Sequence, residues 1–406
     1  MSPSKPNNFQ SPKPKILIIW SSYELGGAEQ QLLRLANDWR HHNFQVEFLG
    51  FFGGSLRAQL NQDGFVTHLA SNLHRPTLIW RFWRKVKLLN TYYQIVLTRK
   101  LRRILPDIVV SAMNFPNVMI GNLWPKIKSI KGHIWNQSDL GLGRLPLKLE
   151  KKALSNASFI VTNSQISANF LLNEFSPQFS DNLTNFSSKI KTIPNIISLN
   201  RPPSSLNEYR SSPNQFIAVM VANLSQYKDH QLLLKAWARF NRQLTPKNLQ
   251  FHPPLLLLAG RDDGQKSHLE KLAQELNIAH QVRFLGSIRD VDHLLAIADL
   301  AILTTPSEGS SNSLAEYMLF GLSIITSDIP ANQELLNPEY QFYYSPNSSR
   351  TQQIHSVAQH LQTFYTRPQL RSKIGQQNQY QAHQIFNNQY NLKRYRDLLL
   401  SILKQN

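Results

Sequence analysis

The chain contains no cysteine. That excludes a disulfide framework, a thiol nucleophile and a thiolate metal site, while leaving the redox compartment open. No uninterrupted apolar run reaches the roughly 20 residues that a membrane-spanning helix needs. The opening MSPSKPNNFQSPKPK has no apolar core of the kind a signal peptide carries, so residues 1–14 read as a flexible tail. Acidic residues are scarce: 25 Asp and Glu stand against 44 Lys and Arg, a formal net charge of +19. Such an excess favours an anionic partner, whether a nucleotide, a nucleic acid or an anionic membrane surface. At 406 residues the chain is long for one core and comfortable for two domains.

What is present is a repeated alternation. KILIIW (15–20), VEFLG (46–50), DIVVSAM (107–113) and SFIVTNS (158–164) are short apolar runs with β-branched residues, the pattern of buried strands. Helical periodicity follows the first of them, at Leu32, Leu33 and Ala36. A stretch rich in Pro, Ser and Asn (193–215) then reads as an interdomain connection. A second series begins beyond it: FIAVMVANL (216–224), LLLLAG (255–260), VRFLG (282–286), LAILTT (300–305) and LSIITSD (322–328). Strands alternating with helices predict an α/β protein with two Rossmann-like domains, whose parallel sheets face an interdomain cleft. The predicted domains span 15–205 and 206–385, and a last helix over 386–406 crosses back to the first. Ligands of such sheets bind beyond the C-terminal ends of the strands.

One such end carries SEGSSNSLAEYMLFGLSIITSDIP, residues 307–330. A helix is expected to begin near Ser313, and the spacing Ser313–Glu316 fits a capping box. Glu308 precedes that helix in the loop, where a carboxylate can accept hydrogen bonds from hydroxyls while amides around Ser311–Leu314 face an anion. Together these suit a polyhydroxylated anionic ligand. Elsewhere the residues alone say less: Lys228 reads as a surface lysine, and Gly26–Gly27 as a turn without the spacing of a dinucleotide fingerprint.

The E-x7-E pair in EGSSNSLAE, followed by YMLFGLSIITSD, resembles the donor-binding segment of the retaining glycosyltransferases with the two-domain GT-B fold, the group 1 or glycogen-synthase-like family. VANLSQYKDHQLLLKAW, LLLLAGRDDG, VRFLGSIRDVDHLLAIADLAIL and TIPN extend the likeness over nearly all of the second domain, and GGAEQQLLRLA fits the family's glycine loop. The resemblance implies that Glu308 sits against the donor sugar's hydroxyls and the leaving phosphate, and that Glu316 holds the ribose hydroxyls. It gives Asn312, Ser313 and Leu314 backbone donors to sugar or phosphate, Lys228 the diphosphate charge, and Gly26 and Gly27 a close approach to the same diphosphate. Leu285 would border the base. Asn223 stands where many relatives carry arginine; it can still donate a hydrogen bond, and Arg261 is the candidate for the missing charge. Ile196 follows Asn195 where relatives often have glycine. His133 in KGHIWNQSD follows a possible strand, and both a role near the donor sugar and a structural role stay open.

The activity implied is metal-independent retaining hexosyl transfer with a nucleoside diphosphate sugar as co-substrate and no cofactor. The basic aromatic segment 74–105 and the overall charge suit a glycan acceptor, lipid-linked or of the cell envelope, and a soluble sugar or metabolite stays open. No Asp, Glu or His grouping has metal-site spacing. Two rivals remain: a non-catalytic nucleotide-sugar or glycan-binding relative, and a nucleotide-sugar epimerase of related fold. Residues 74–105 carry nine Lys or Arg and no Asp or Glu, with Trp80, Phe82, Trp83, Tyr92 and Tyr93 interspersed. They read either as solvated surface helices or as a contact for an anionic membrane surface. No recognition motif accompanies the charge, and nucleic acid is not expected as a partner. The expected location is the cytoplasm, with a peripheral place on the cytoplasmic face of the membrane left open.

Overall fold

The structure is a computed structural model that describes residues 12–24, 26–70, 87–138, 140, 145–175, 183–197, 209–212, 214–244, 252–288 and 291–405. Residues 71–86 of the basic segment and most of the 193–215 connection lie outside the described residues, as does most of the N-terminal tail. The chain divides into two compact units, 1–196 with 389–406, and 197–388.

The first unit runs β1 (Lys15–Ser22), α1 (Gly27–His41), β2 (Gln45–Phe52), α2 (Leu56–Gln62), β3 (Val66–Leu69), α3 (Lys87–Ile104), β4 (Ile108–Ala112) and α4 (Asn114–Leu123). It continues through β5 (Gly132–Gln137), α5 (Leu147–Asn156), β6 (Phe159–Thr162), α6 (Gln165–Phe175), α7 (Leu183–Lys189) and β7 (Ile190–Thr192). The sheet order is β3-β2-β1-β4-β5-β6-β7 and every neighbouring pair is parallel. Along β1, Ile16, Ile18 and Trp20 enter one core cluster while Leu17 and Ile19 enter the cluster on the other face. Helices covering both faces explain why the strand is continuously apolar rather than alternating. Each such side chain, fully withdrawn from water, contributes about 1.5–3 kcal/mol.

The second unit runs β8 (Ile217–Val221), α8 (His230–Arg242), β9 (Leu255–Ala259), α9 (Lys266–Glu275), β10 (Val282–Gly286), α10 (Val291–Ile297), β11 (Leu300–Leu303) and α11 (Asn312–Leu319). β12 (Ser323–Ser327), α12 (Pro330–Leu336), β13 (Tyr343–Tyr344), α13 (Arg350–Thr366) and α14 (Pro368–Ile385) follow. Its sheet, β10-β9-β8-β11-β12-β13, is again parallel throughout. The two-faced pattern recurs, with Ala218 and Met220 of β8 in one cluster and Ile217 and Val219 in the other.

The last helix, α15 (Asn388–Lys404), packs in the first unit. Tyr395, Leu399 and Ile402, spaced as one helical face, join the core cluster of β1 and α1. The Arg396 guanidinium holds both carboxylate oxygens of Asp38 at 2.6 and 2.7 Å.

Candidate nucleotide-sugar site

In each sheet the order of strands reverses direction once, between β1 and β4 and between β8 and β11. Loops leaving such a point diverge and open a crevice. In the second unit β8 and β11 register at only Leu300↔Ala218 and Ala301↔Val219, whereas β8 and β9 register along five pairs. Past Val219 the end of β8 is held by side chains instead. The Tyr317 hydroxyl accepts from Val221 N–H at 2.6 Å, and the Ser313 hydroxyl donates to Val221 O at 2.7 Å. Burial pushes the Tyr317 phenol above its usual range and keeps it neutral.

Beyond these ends, two loops bring Lys228 and Glu308 together across 80 positions of sequence. Lys228 closes the short 3-10 turn Gln226–Lys228, and its ammonium pairs with Glu308 Oε1. Both side chains are largely enclosed, 14% and 13% exposed, and the Lys228 ammonium also lies 4.8 Å from the centre of the Tyr227 ring. Behind Lys228, His230 is buried at the first turn of α8. Burial first, then the Lys228 charge, push its pKa down to about 4.

The helix start differs from the expectation. Ser311, not Ser313, caps α11: its hydroxyl accepts from Leu314 N–H at 3.3 Å. Ser313 cannot form the expected capping box because its hydroxyl is drawn to Val221. Leu314 is corrected as well, since its amide is taken by the cap and its side chain is wholly buried. Asn312 and Ser313 occupy the first turn, where a helix has no intrahelical acceptor for its amides. Glu316 is half-buried one turn further on, and its carbonyl continues the helix to Phe320.

Asn223 follows β8 and accepts through Oδ1 from Arg261 N–H at 3.2 Å, rather than donating there. The Arg261 guanidinium turns to Asp263, 2.8 Å from Nε, and is about half exposed, so a carboxylate already offsets the charge proposed to replace the missing arginine. Gly260, after β9, must be glycine: a Cβ there would meet Ala222 O at 2.0 Å, and its φ is +157°. Leu285 and Gly286 end the edge strand β10, and Gly286 O accepts from Gly260 N–H at 2.9 Å. They thus lie at the same end of the sheet as the other loops, with Leu285 half-buried against the core.

In the first unit, Gly26 caps α1 in extended conformation and Gly27 begins it, beyond the C-terminal end of β1. His133 requires correction. It lies inside β5, at the second residue, and is completely buried rather than placed in a loop after a strand. Its Nε2 is 2.6 Å from Ser111 Oγ, which in turn donates to Asn117 Oδ1, and burial pushes its pKa down to about 3. That is the setting of a neutral structural imidazole.

Sequence reading missed the residues that hold this loop system from outside it: Thr304, Tyr344, Asp229 and Arg350. Only Asp229 carried a local signal, an Asp immediately before a helical pattern.

Two parallel Rossmann-like sheets of this order, with a charged pair at the second switch point, define the GT-B class of α/β proteins. The Anabaena protein HepE, in complex with UDP and glucose, shares the fold at a TM-score of 0.71 and 19% identity, covering 96% of this chain and 100% of that one. Sucrose-phosphate synthase from Thermosynechococcus elongatus shares it at a TM-score of 0.73 and 15% identity, over 97% and 100%. Residues 204–381 match the family model of glycosyl transferases group 1. An uncharacterized glycosyltransferase of Methanocaldococcus jannaschii is 19% identical over 322 residues, 73% of this chain and 72% of that protein. The match to group 1 spans less than half of the chain, and with this relative it supports glycosyl transfer as the activity.

Proposed function

We propose that the protein is a retaining glycosyltransferase that moves a hexosyl group from a nucleoside diphosphate sugar to a hydroxyl of a glycan, lipid-linked or of the cell envelope. The observation that carries this reading is the Lys228–Glu308 pair beside the N-terminus of α11, at the switch point of the second sheet. Lys228 would neutralise the diphosphate as the sugar–phosphate bond breaks, and the first-turn amides of Asn312 and Ser313 add oriented donors. Glu308 would hold the sugar hydroxyls, and Glu316 the ribose. Gly26 and Gly27 allow close backbone approach at the first unit's own switch point, which would take the acceptor. The acceptor oxygen attacks the anomeric carbon on the face that the phosphate leaves. Its proton passes to the departing phosphate oxygen, and the products are a glycoside and a nucleoside diphosphate.

The same reading is metal-independent, because Lys228 and the helix start supply the charge compensation. The described part of the basic segment fits a peripheral membrane role. Tyr93, Leu97, Leu101 and Ile104 of α3 are buried, while Tyr92, Ile95, Arg99 and Arg102 are exposed on the opposite side. An apolar rim with cations beyond it suits an anionic lipid surface. Among the described residues no helix is long and apolar enough to cross a membrane.

A second reading, a nucleotide-sugar-binding relative without transfer, draws on Asn223 and on the engagement of Arg261 by Asp263. One assay separates the two. The purified protein is given uridine-, guanosine- and adenosine-diphosphate sugars, with uridine first because HepE holds UDP, with and without a membrane-glycan extract. Release of one nucleotide stimulated by extract and lost in Glu308→Ala supports transfer. Binding without release in any extract favours the second reading, and neither binding nor release refutes both.

A further inference from the structure

Two residues of the second unit are locally disfavoured where they stand. Asp229 is in the left-handed region at φ +55°, ψ +45°, which residues with a Cβ seldom adopt. Arg350 occupies the first position of α13, where the helix dipole opposes a cation. Each answers the other's penalty. The Arg350 guanidinium takes both carboxylate oxygens of Asp229, at 2.5 and 2.6 Å, a fork that lysine could not reproduce. Asp229 Oδ1 also caps α8 by accepting from Leu232 N–H at 3.3 Å. The position of Arg350 is itself fixed, because Ser349 and Gln352 form a capping box at the start of α13.

A second tie reaches the same place. The Thr304 hydroxyl shares its one proton between Lys228 O at 2.9 Å and Asp229 O at 3.1 Å. Thr304 lies four residues before Glu308, and its own carbonyl accepts from the Tyr344 hydroxyl at 2.7 Å. The carbonyls of Lys228 and of the next residue are therefore held by Thr304, just past β11, which Tyr344 of β13 holds in turn, while Arg350 of α13 holds the Asp229 carboxylate. Lysine is a point charge on a flexible stem, so fixing its backbone limits where that charge can reach.

We propose that the Asp229–Arg350 pair, with Thr304, is a brace that aims Lys228 at the anionic group of the donor, which makes Asp229 and Arg350 positioning residues. The inference rests on the reading of Lys228 as the diphosphate contact. Two locally unfavourable residues matched to each other beside a ligand-binding lysine are better explained by placement of that lysine than by stability alone.

The test is calorimetric titration of ADP, GDP and UDP into wild type, Lys228→Ala, Arg350→Met, Asp229→Asn and the Lys228→Ala/Arg350→Met double variant. Asparagine tolerates the left-handed region and can still cap α8, so Asp229→Asn carries the test where Arg350→Met does not fold. The brace requires Arg350→Met and Asp229→Asn each to weaken the preferred diphosphate by about threefold to tenfold. Arg350→Met must also add no further loss in the Lys228→Ala background. If the two substitutions act in opposite directions, through-space charge is at work and the brace is overturned. Additive losses, or lower melting temperatures with unchanged affinity, overturn it too, as a plain structural clamp. A wild type that binds none of the three, or unchanged binding in Lys228→Ala, refutes the site reading itself and this inference with it.

Discussion

Replacing Glu308 with glutamine should tighten the binding of free nucleoside diphosphate while abolishing transfer. The sign runs against the usual outcome of removing a site residue, and it follows from the ion pair. Lys228 is neutralised by Glu308 in the ligand-free protein, with both side chains only 13–14% exposed. An incoming diphosphate must draw on a cation already shared with a carboxylate, and it meets that carboxylate's charge as well. Glutamine keeps the size and an acceptor oxygen and removes the charge. A unit charge about 6 Å from another, at an effective dielectric near 20, is worth about 3 kcal/mol. Residual solvent and salt lower that toward about 1.4 kcal/mol, or about tenfold in affinity.

The nucleotide sugar itself should gain less than the free diphosphate, because its sugar loses the carboxylate acceptor for its hydroxyls. Titration of both ligands into wild type and Glu308→Gln therefore gives two numbers with different expectations. Their ratio should move toward the free diphosphate, the tightening should shrink with rising salt, and nucleotide release should fall by about two orders of magnitude. Weaker or unchanged diphosphate binding in Glu308→Gln, with the fold intact, would refute the reasoning. Lys228→Ala is the control of opposite sign.

The pH dependence of stability has a definite direction. His133 and His230 bind protons less readily when folded, at about 3 and about 4, than the ordinary 6.5. Their contribution is complete above about pH 6.5 and is lost as pH falls toward those folded values, about 3 kcal/mol per group by about pH 4.5. Urea unfolding at pH 7 and pH 4.5 measures the loss, and His230→Asn should flatten its share. Gly260→Ala forces a Cβ onto the Ala222 carbonyl and should cost about 3 kcal/mol or more, visible as a lower urea midpoint. Sedimentation with vesicles rich in anionic lipid should fall when Arg99, Arg102 and Arg103 are changed to glutamate, with little change on neutral vesicles; equal binding to both would remove α3 as the contact.

How far the sequence carried depends on whether the deciding physics was local. β1, β8 and β11 were legible because both faces of each are buried, which writes a continuous apolar run. β3 and β7 were not, since their residues are partly exposed, and β13 has only two residues. The helix after Glu308 was legible, but its first residue was not. Ser311 and Ser313 have the same capping chemistry, and the choice is made by Val221, some ninety positions away, which takes the Ser313 hydroxyl. His133, between Gly132 and Ile134, carries no mark of its depth in the sequence, yet it lies inside the sheet and hydrogen-bonds with Ser111. The Asp229–Arg350 fork spans 121 positions, and neither partner marks the other in the sequence.

The same strand order was used twice with different chemistry at the two switch points, and that difference bears on where the donor goes. Among the described residues beyond β1 and β4, the first unit has Gly26 and Gly27 at the start of α1 and Asn114, buried and donating to Glu150, at the start of α4. Beyond β8 and β11 the second unit presents Lys228, Glu308 and the first turn of α11. A diphosphate carries at least two negative charges, and leaving water without a cation to meet them would cost several kcal/mol. The second unit offers a cation held nearly dry, with its backbone carbonyl held by Thr304. On the proposed reading the donor therefore belongs to the second unit, whose switch point brings the cation that its diphosphate needs, before any particular sugar is named.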